Sequence, residues 1–169
     1  KILDQNGSYG RSKGHSLYDF YVREWAGVDP DNGDALWNQY YHDANSNGVV
    51  DAGESITSLL EYETANPGNA ISKTTTNVYT DATEKYIDKS VIPTVRGAFK
   101  LKAKAYGFDI STQFAYSLGG YSYDGQYAGL LTNAQVGNSN YHIDIRDSWK
   151  APRDITDITR LQSGVTPNA

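Results

Sequence analysis

Cysteine is absent from the 169 residues, and so is methionine. Without Cys there is no disulfide, no thiol nucleophile and no thiolate metal ligand, and the redox compartment stays open. Without Met there is no Met-rich groove of the kind a calcium sensor uncovers on binding. Long apolar runs are missing too. Nothing approaches the ~18 consecutive apolar residues of a membrane helix, and no signal-peptide pattern occurs. Barrel strands stay open, because their sequence signal is much weaker. A basic surplus is lacking, with 15 Lys and Arg against 20 Asp and Glu and a formal net charge of -5, which argues against a nucleic-acid partner. The histidines His15, His42 and His142 stand far apart. No GxSxG, HExxH or phosphate-cradling Gly loop occurs, and no carboxylate pair is singled out for glycoside chemistry. No catalytic residue is assigned, and the chain does not read as an enzyme.

What is present is tyrosine, 14 residues against 4 Phe and 3 Trp, together with 16 Gly. That composition favours β structure with long polar loops. Residues 1–14, KILDQNGSYGRSKG, read as loop or turn. In SLYDFYVREWAGVD, Tyr18, Phe20 and Val22 alternate with Asp19, Tyr21 and Arg23, a strand pattern. DPDNGD at 29–34 then signals a turn twice, and ALWNQYYH suits a strand or a short helix. Ile56, Leu59 and Leu60 fall at helical spacing in a segment that stops at Asn66-Pro67-Gly68, which predicts a short helix. Residues 69–90 are polar with weak periodicity and read as loop with marginal strand. The region after Leu118 reads as loop with a short helix around Ala128–Ala134.

The stretch DANSNGVVDAGE at 43–54 has the spacing of a calcium loop. Positions 1, 3, 5, 7, 9 and 12 of such a loop supply oxygens, and position 6 is Gly for the sharp turn. Here those ligands are Asp43, Asn45, Asn47, the backbone carbonyl of Val49, Asp51 and Glu54, with Gly48 at the turn. The same residue types also compose ordinary solvated turns. Three carboxylates imply weak affinity, towards the extracellular end of the range. A single loop without a Met-rich groove implies a structural calcium ion rather than a sensor.

Residues 94–118 carry the strongest periodicity. Val95, Gly97, Phe99, Leu101, Ala103 and Ala105 alternate with Arg96, Ala98, Lys100, Lys102 and Lys104. After Tyr106-Gly107, the residues Phe108, Ile110, Thr112, Phe114, Tyr116 and Leu118 alternate with Asp109, Ser111, Gln113, Ala115 and Ser117. Two such arms joined by a short turn predict a β-hairpin. Arms of about 11 residues match the ~9–11 of a tilted membrane strand and exceed the ~5–6 of a soluble one. Alternation alone fits either a barrel wall with lipid on one face or a soluble sandwich with a core there. Tyr121, Tyr123 and Tyr127 suit either an interfacial aromatic girdle or loop packing.

Three ordered segments then match a known pattern. SLYDFYVREWAGVDPDNGDALW (16–37), VIPTVRGAFKLKAKAYGFDISTQFAYSLGGYSYDGQYAGLL (91–131) and HIDIRDSWKAPRDITDITRL (142–161) together resemble the SusC/RagA-type TonB-dependent outer-membrane transporters of Bacteroidota. The resemblance covers about 15–161; the last segment departs from the family in lacking Pro at 159. It implies an all-β fold: antiparallel strands of a transmembrane β-barrel with long extracellular loops and one or two short helices. It also implies that 1–169 is part of the C-terminal half of such a barrel, with 94–118 as a transmembrane hairpin. On that footing Arg96, Lys100, Lys102 and Lys104 face the lumen or plug, segments 27–90 and 119–160 are extracellular, and calcium at 43–54 clips a loop. The function implied is import of oligosaccharides or peptides across the outer membrane of a Gram-negative cell. The partners implied are a SusD-like surface lipoprotein, TonB through parts outside this chain, outer-membrane lipid, and the rest of the barrel and its plug. Trp37, Tyr40, Tyr41 and Trp149 are candidates for stacking on sugars or packing on the lipoprotein. Ordinary packing is the commoner role for such residues, and no substrate-binding residue is assigned. The alternative is a soluble, calcium-stabilised β-module that binds carbohydrate and buries Val95 to Leu118 in its own core.

Overall fold

A computed structural model describes residues 2–132 and 140–161. Strands β1 (Ile2–Asn6) and β2 (Tyr9–Ser12) form a hairpin. The opening residues are therefore not the loop that their polarity suggests. Most of their side chains are exposed, so the pairing carries no alternation of buried and exposed faces. β2 continues onto β3 (Asp19–Arg23) at Tyr9↔Phe20, and β3 pairs with β8 (Glu84–Ser90) through Tyr21↔Tyr86 and Arg23↔Glu84. The order of this antiparallel sheet is β1-β2-β3-β8.

One residue after β3 the chain enters a second sheet with β4 (Trp25–Val28). The Ala-Leu-Trp-Asn-Gln-Tyr-Tyr segment is strand β5 (Ala35–Tyr41), the centre of that sheet. One edge of β5 pairs with β4 at Trp25↔Trp37 and with β6 (Ser55–Ile56) at Tyr41↔Ser55. Its other edge pairs along β7 (Ser72–Thr76), from Trp37↔Thr76 to Tyr41↔Ser72. Residues 69–90, which read as loop with marginal strand from their weak periodicity, thus supply two full strands, β7 and β8. Helix α1 (Leu59–Ala65) starts where Ser58 Oγ accepts the Glu61 amide and ends where the Asn66 amide donates to the Tyr62 carbonyl. Ile56 is not on that helix; it is buried on β6.

The core between these sheets is small. Phe20, Tyr21, Tyr41, Ile56 and Ala82 are the buried apolar side chains among the described residues. Tyr21 is 1% exposed and its hydroxyl pairs with Ser58 Oγ at 2.6 Å; burial pushes its pKa above the ordinary phenol value. Thr83, fully buried, ties the sheets together. Its Oγ1 accepts the Tyr40 amide at 2.8 Å and donates to the Ile56 carbonyl, while its own amide donates to the Asn38 carbonyl at 3.1 Å. Buried Asn38 and Gln39 are also satisfied, donating to Glu24 at 2.7 Å and to Ser55 Oγ at 3.1 Å, as buried amides must be.

The third sheet is the hairpin of β9 (Val95–Ala105) and β10 (Phe108–Leu118). Tyr106 and Gly107 both have positive φ, 51° and 83°, as a two-residue type I′ turn requires. The register places Phe114 opposite Phe99, Ile110 opposite Ala103 and Gln113 opposite Lys100. Apolar pairs therefore share one face and polar pairs the other. Phe99 and Phe114 stack with centroids 4.9 Å apart, and the Tyr116 ring covers Gly97, supplying the contact that a glycine in a strand lacks. Every residue of both strands is exposed except Gly97. Its base joins the first sheet, where the Tyr121 amide donates to the Ser90 carbonyl at 2.9 Å. Helix α2 (Gly125–Leu131), capped by Asp124, occupies the first part of the helix expected around 128–134; residues 133 and 134 lie outside the described residues.

Candidate functional site

The loop 43–54 connects β5 to β6, so its ends are held by the Tyr41↔Ser55 strand pair and by the His42 amide donating to the Glu54 carbonyl at 3.0 Å. Its oxygens turn inward onto the loop's own backbone. Asp43 accepts the amides of Asn47 (3.0 Å) and Gly48 (2.8 Å); Glu54 accepts those of Ala44 and Asp51, each at 3.1 Å. The side-chain amides of Asn45 and Asn47 converge on one oxygen of Asp51, at 2.7 and 2.8 Å. Gly48 has φ 75°, the left-handed turn that position 6 demands. Among the described residues, no three of His, Cys, Asp or Glu gather as a metal-holding group. A cation here therefore depends on the amide and carbonyl oxygens of Asn45, Asn47 and Val49 beside the three carboxylates. That donor set is all hard oxygen and fits calcium rather than zinc or copper. The loop differs from a helix-flanked calcium site in being strung between two strands.

The aromatic candidates separate once their surroundings are known. Tyr41 is buried in the core and unavailable to a ligand. Trp149 is a packing residue: its ring lies on Gly33 and its Nε1 donates to the Pro30 carbonyl at 2.9 Å. Around it, the Arg160 amide donates to the Gly33 carbonyl and the Arg160 guanidinium pairs with Asp34 at 2.9 Å. The turn at 29–34 and the segment 149–160, more than a hundred residues apart, are thereby clamped together. Trp37 sits mid-ladder, edge-on to both Trp25 (5.2 Å) and Tyr79 (4.9 Å), with the Arg23 guanidinium over Tyr79 at 4.7 Å. Tyr121 carries the Lys89 ammonium over its ring at 4.3 Å, and Tyr127 donates to Asp144 at 2.7 Å; these two and Tyr123 all stay exposed.

Tyr40 has the least expected setting. Lys73 and Lys85 both approach its ring, at 5.7 and 5.5 Å from the centroid. Lys85 also reaches the Tyr40 hydroxyl and Glu24, each at 3.4 Å. Burial disfavours the Lys85 ammonium, but the Tyr40 hydroxyl and Glu24 outweigh that and raise its pKa. A groove of about 540 Å³ lies alongside, lined by Trp25, Ala26, Asn38, Lys73, Thr74 and Thr75. Neither lysine is marked by spacing in the sequence, because they meet Tyr40 through strand pairing across tens of residues.

Compared with known proteins, the chain matches no protein-family model and no curated protein. Among solved structures it is similar to a chain of the RagAB peptide importer in its "closed-closed" state, at 27% identity and a TM-score of 0.58. The match covers 88% of this chain and 14% of that one. It supports a coarse relationship to that importer, of which the chain spans a small part.

Proposed function

We propose that the chain is barrel wall and extracellular loop of a TonB-dependent transporter that imports peptides or oligosaccharides across the outer membrane, together with a SusD-like surface lipoprotein. The observation that carries this reading is the β9–β10 hairpin. It has 11 residues per arm, one apolar face and one polar face, and both faces exposed. A soluble module that used this hairpin would cover Phe99, Leu101, Ile110 and Phe114 with its own core, and these four side chains are uncovered. Lipid supplies the missing cover, and water in the lumen suits Lys100 and Lys102 on the other face. The likeness to the RagAB peptide importer supports the same direction, since its name falls within the family whose motifs the sequence resembles. Peptide is accordingly the favoured cargo. TonB, the lipoprotein lid and the outer-membrane location follow from that reading.

Calcium at Asp43, Asn45, Asn47, Val49, Asp51 and Glu54 would serve as a clip. It would fix the β5–β6 connection on the extracellular side and perform no chemistry of its own.

The test uses the absence of cysteine. Single Cys variants at Phe99, Lys100, Leu101 and Lys102, nitroxide-labelled in the complete transporter in its membrane, should alternate between lipid and water accessibility. Lipid at positions 99 and 101 is the expected result. Exclusion of all four from lipid would sink the transporter reading in favour of the soluble carbohydrate-binding module.

A further inference from the structure

The groove beside Tyr40 has the charge of a ligand site. The register pairs Tyr40 with Lys73 and Asn38 with Thr75, so these four side chains share one face of the β5–β7 ladder. Two ammonium groups lie against one phenol ring there, and a single carboxylate answers them. That carboxylate, Glu24, is already engaged by Lys85 at 3.4 Å and by the Asn38 amide at 2.7 Å. Lys73 has no carboxylate partner among the described residues, although acidic groups outnumber basic ones in the chain as a whole. The hydroxyl of Thr75, on the same face, makes no hydrogen bond among the described residues, and Thr75 lines the groove. A volume of about 540 Å³ is in the range of small-ligand sites.

We propose that this groove is a carboxylate-binding subsite for peptides, in which Lys73 supplies the free charge, Thr75 supplies a hydroxyl donor, and Trp25 supplies an apolar wall. The inference rests on the peptide-import reading and adds a preference to it: acidic peptides are favoured over neutral ones. The carboxylate can be a Glu or Asp side chain or the peptide's free C-terminus. Both present the same two oxygens to an ammonium group. Lys85 stays in place as part of the wall, held by Glu24 and the Tyr40 hydroxyl.

The experiment is calorimetric titration of the complete transporter in detergent with four peptides of one length. They carry Glu or Gln at a central position and a free or amidated C-terminus. The Glu, free-acid peptide is expected to bind about fivefold more tightly than the Gln, amidated one, the size of a solvent-accessible ion pair. That preference should narrow as salt rises. Lys73→Gln should abolish it, and Lys73→Arg should keep it. Thr75→Glu, which places a competing carboxylate in the groove, should abolish it too; Lys73 and Thr75 are both exposed, so the fold is spared. Loss of preference on amidation alone assigns the terminal carboxylate, and loss on Glu-to-Gln exchange alone assigns the side chain. Peptide binding that ignores charge, or a preference unchanged in Lys73→Gln, overturns the subsite and leaves peptide import standing. Failure of all four peptides to bind overturns peptide import itself. Stronger binding of a uronic-acid oligosaccharide than of any peptide overturns the assignment of peptide as the ligand.

Discussion

β9 and β10 are the longest strands among the described residues, and every residue in them except Gly97 is exposed. β6 is two residues long and carries Ile56, one of the most deeply buried side chains. Strand length and burial therefore run opposite ways in the two regions. In the loop region, formed by β3 to β8, short strands are held by hydrogen-bond nodes such as Thr83 and by a few aromatics. In the hairpin, the ladder, the Phe99–Phe114 stack, the Tyr116 ring on Gly97 and the exposed Lys104–Asp109 pair hold the two arms together, and an isolated hairpin is marginally stable in water. One region carries its stability within itself. The other leaves both of its faces uncovered.

The largest effect expected from breaking this contrast is on the apolar face of the hairpin. On the proposed barrel reading, Leu101→Arg should cost roughly 2–4 kcal/mol near the bilayer midplane. Lys102→Ala, one residue away on the other face, should cost well under 1 kcal/mol. Denaturant unfolding in lipid vesicles measures both, and equal costs would erase the distinction between the faces.

The loop region should fail at its clamp. Gly33 has φ 76°, and a Cβ there would lie 2.6 Å from the Trp149 ring. Gly33→Val combines backbone strain with overpacking and should cost about 3 kcal/mol, read by loss of native Trp fluorescence. Nitroxide accessibility in the hairpin should not change. A smaller loss, about 1–3 kcal/mol, is expected for Thr83→Val, which leaves the Tyr40 amide without its acceptor. Thr83→Ser should recover most of it.

Calcium removal should act more gently and only on the loop region. At a calcium concentration tenfold above Kd, binding contributes about 1.4 kcal/mol. Chelation should therefore lower hydrogen-exchange protection at the Tyr41–Ser55 pair and leave β9 and β10 unchanged. Glu54→Gln should abolish the calcium response. If protection near 41 and 55 were indifferent to calcium, the loop would be an ordinary Asx-rich turn.

The legible parts of the sequence were those whose signal is local. The hairpin follows from strict period two over 22 strand residues. The turn character of 43–54 follows from its Asp, Asn and Gly content, while calcium there rests on spacing alone and is a proposal. β1 and β2 pair across a local turn, and β7 and β8 pair with distant strands, but all four lack a clear apolar face, so periodicity shows 1–14 as loop or turn and 69–90 as loop with only marginal strand. Tyr40 was noticed for its ring alone, whereas its setting depends on Lys73 and Lys85 arriving from β7 and β8. For Trp149 the sequence leaves ligand stacking and ordinary packing both open, because nothing nearby in sequence shows that Gly33 lies beneath its ring.

The smallest effect expected concerns pH, and it compares one cation from each region. Lys85 has a pKa raised above its ordinary value: burial opposes the charge, but the Tyr40 hydroxyl and Glu24 favour it more. A raised folded pKa means that the stabilising charge is fully present below the unfolded value, near 10.5. The contribution is lost as pH climbs through the higher folded value. Tyr21 and Tyr127 have raised pKa values as well, so their contributions fall in the same alkaline direction and must be subtracted. The difference between the parent and Lys85→Met isolates the lysine. Their melting temperatures should differ by a constant amount below the unfolded value near 10.5 and converge only as pH climbs through the higher folded value, with an underlying effect below about 1 kcal/mol. Lys104 on the hairpin pairs with Asp109 at 3.1 Å, but both are well exposed. Lys104→Met should then shift the melting curve negligibly at any pH, since water and salt screen such a pair. An equal response from the two lysines would show that the Tyr40 platform holds its cation no more firmly than open solvent does.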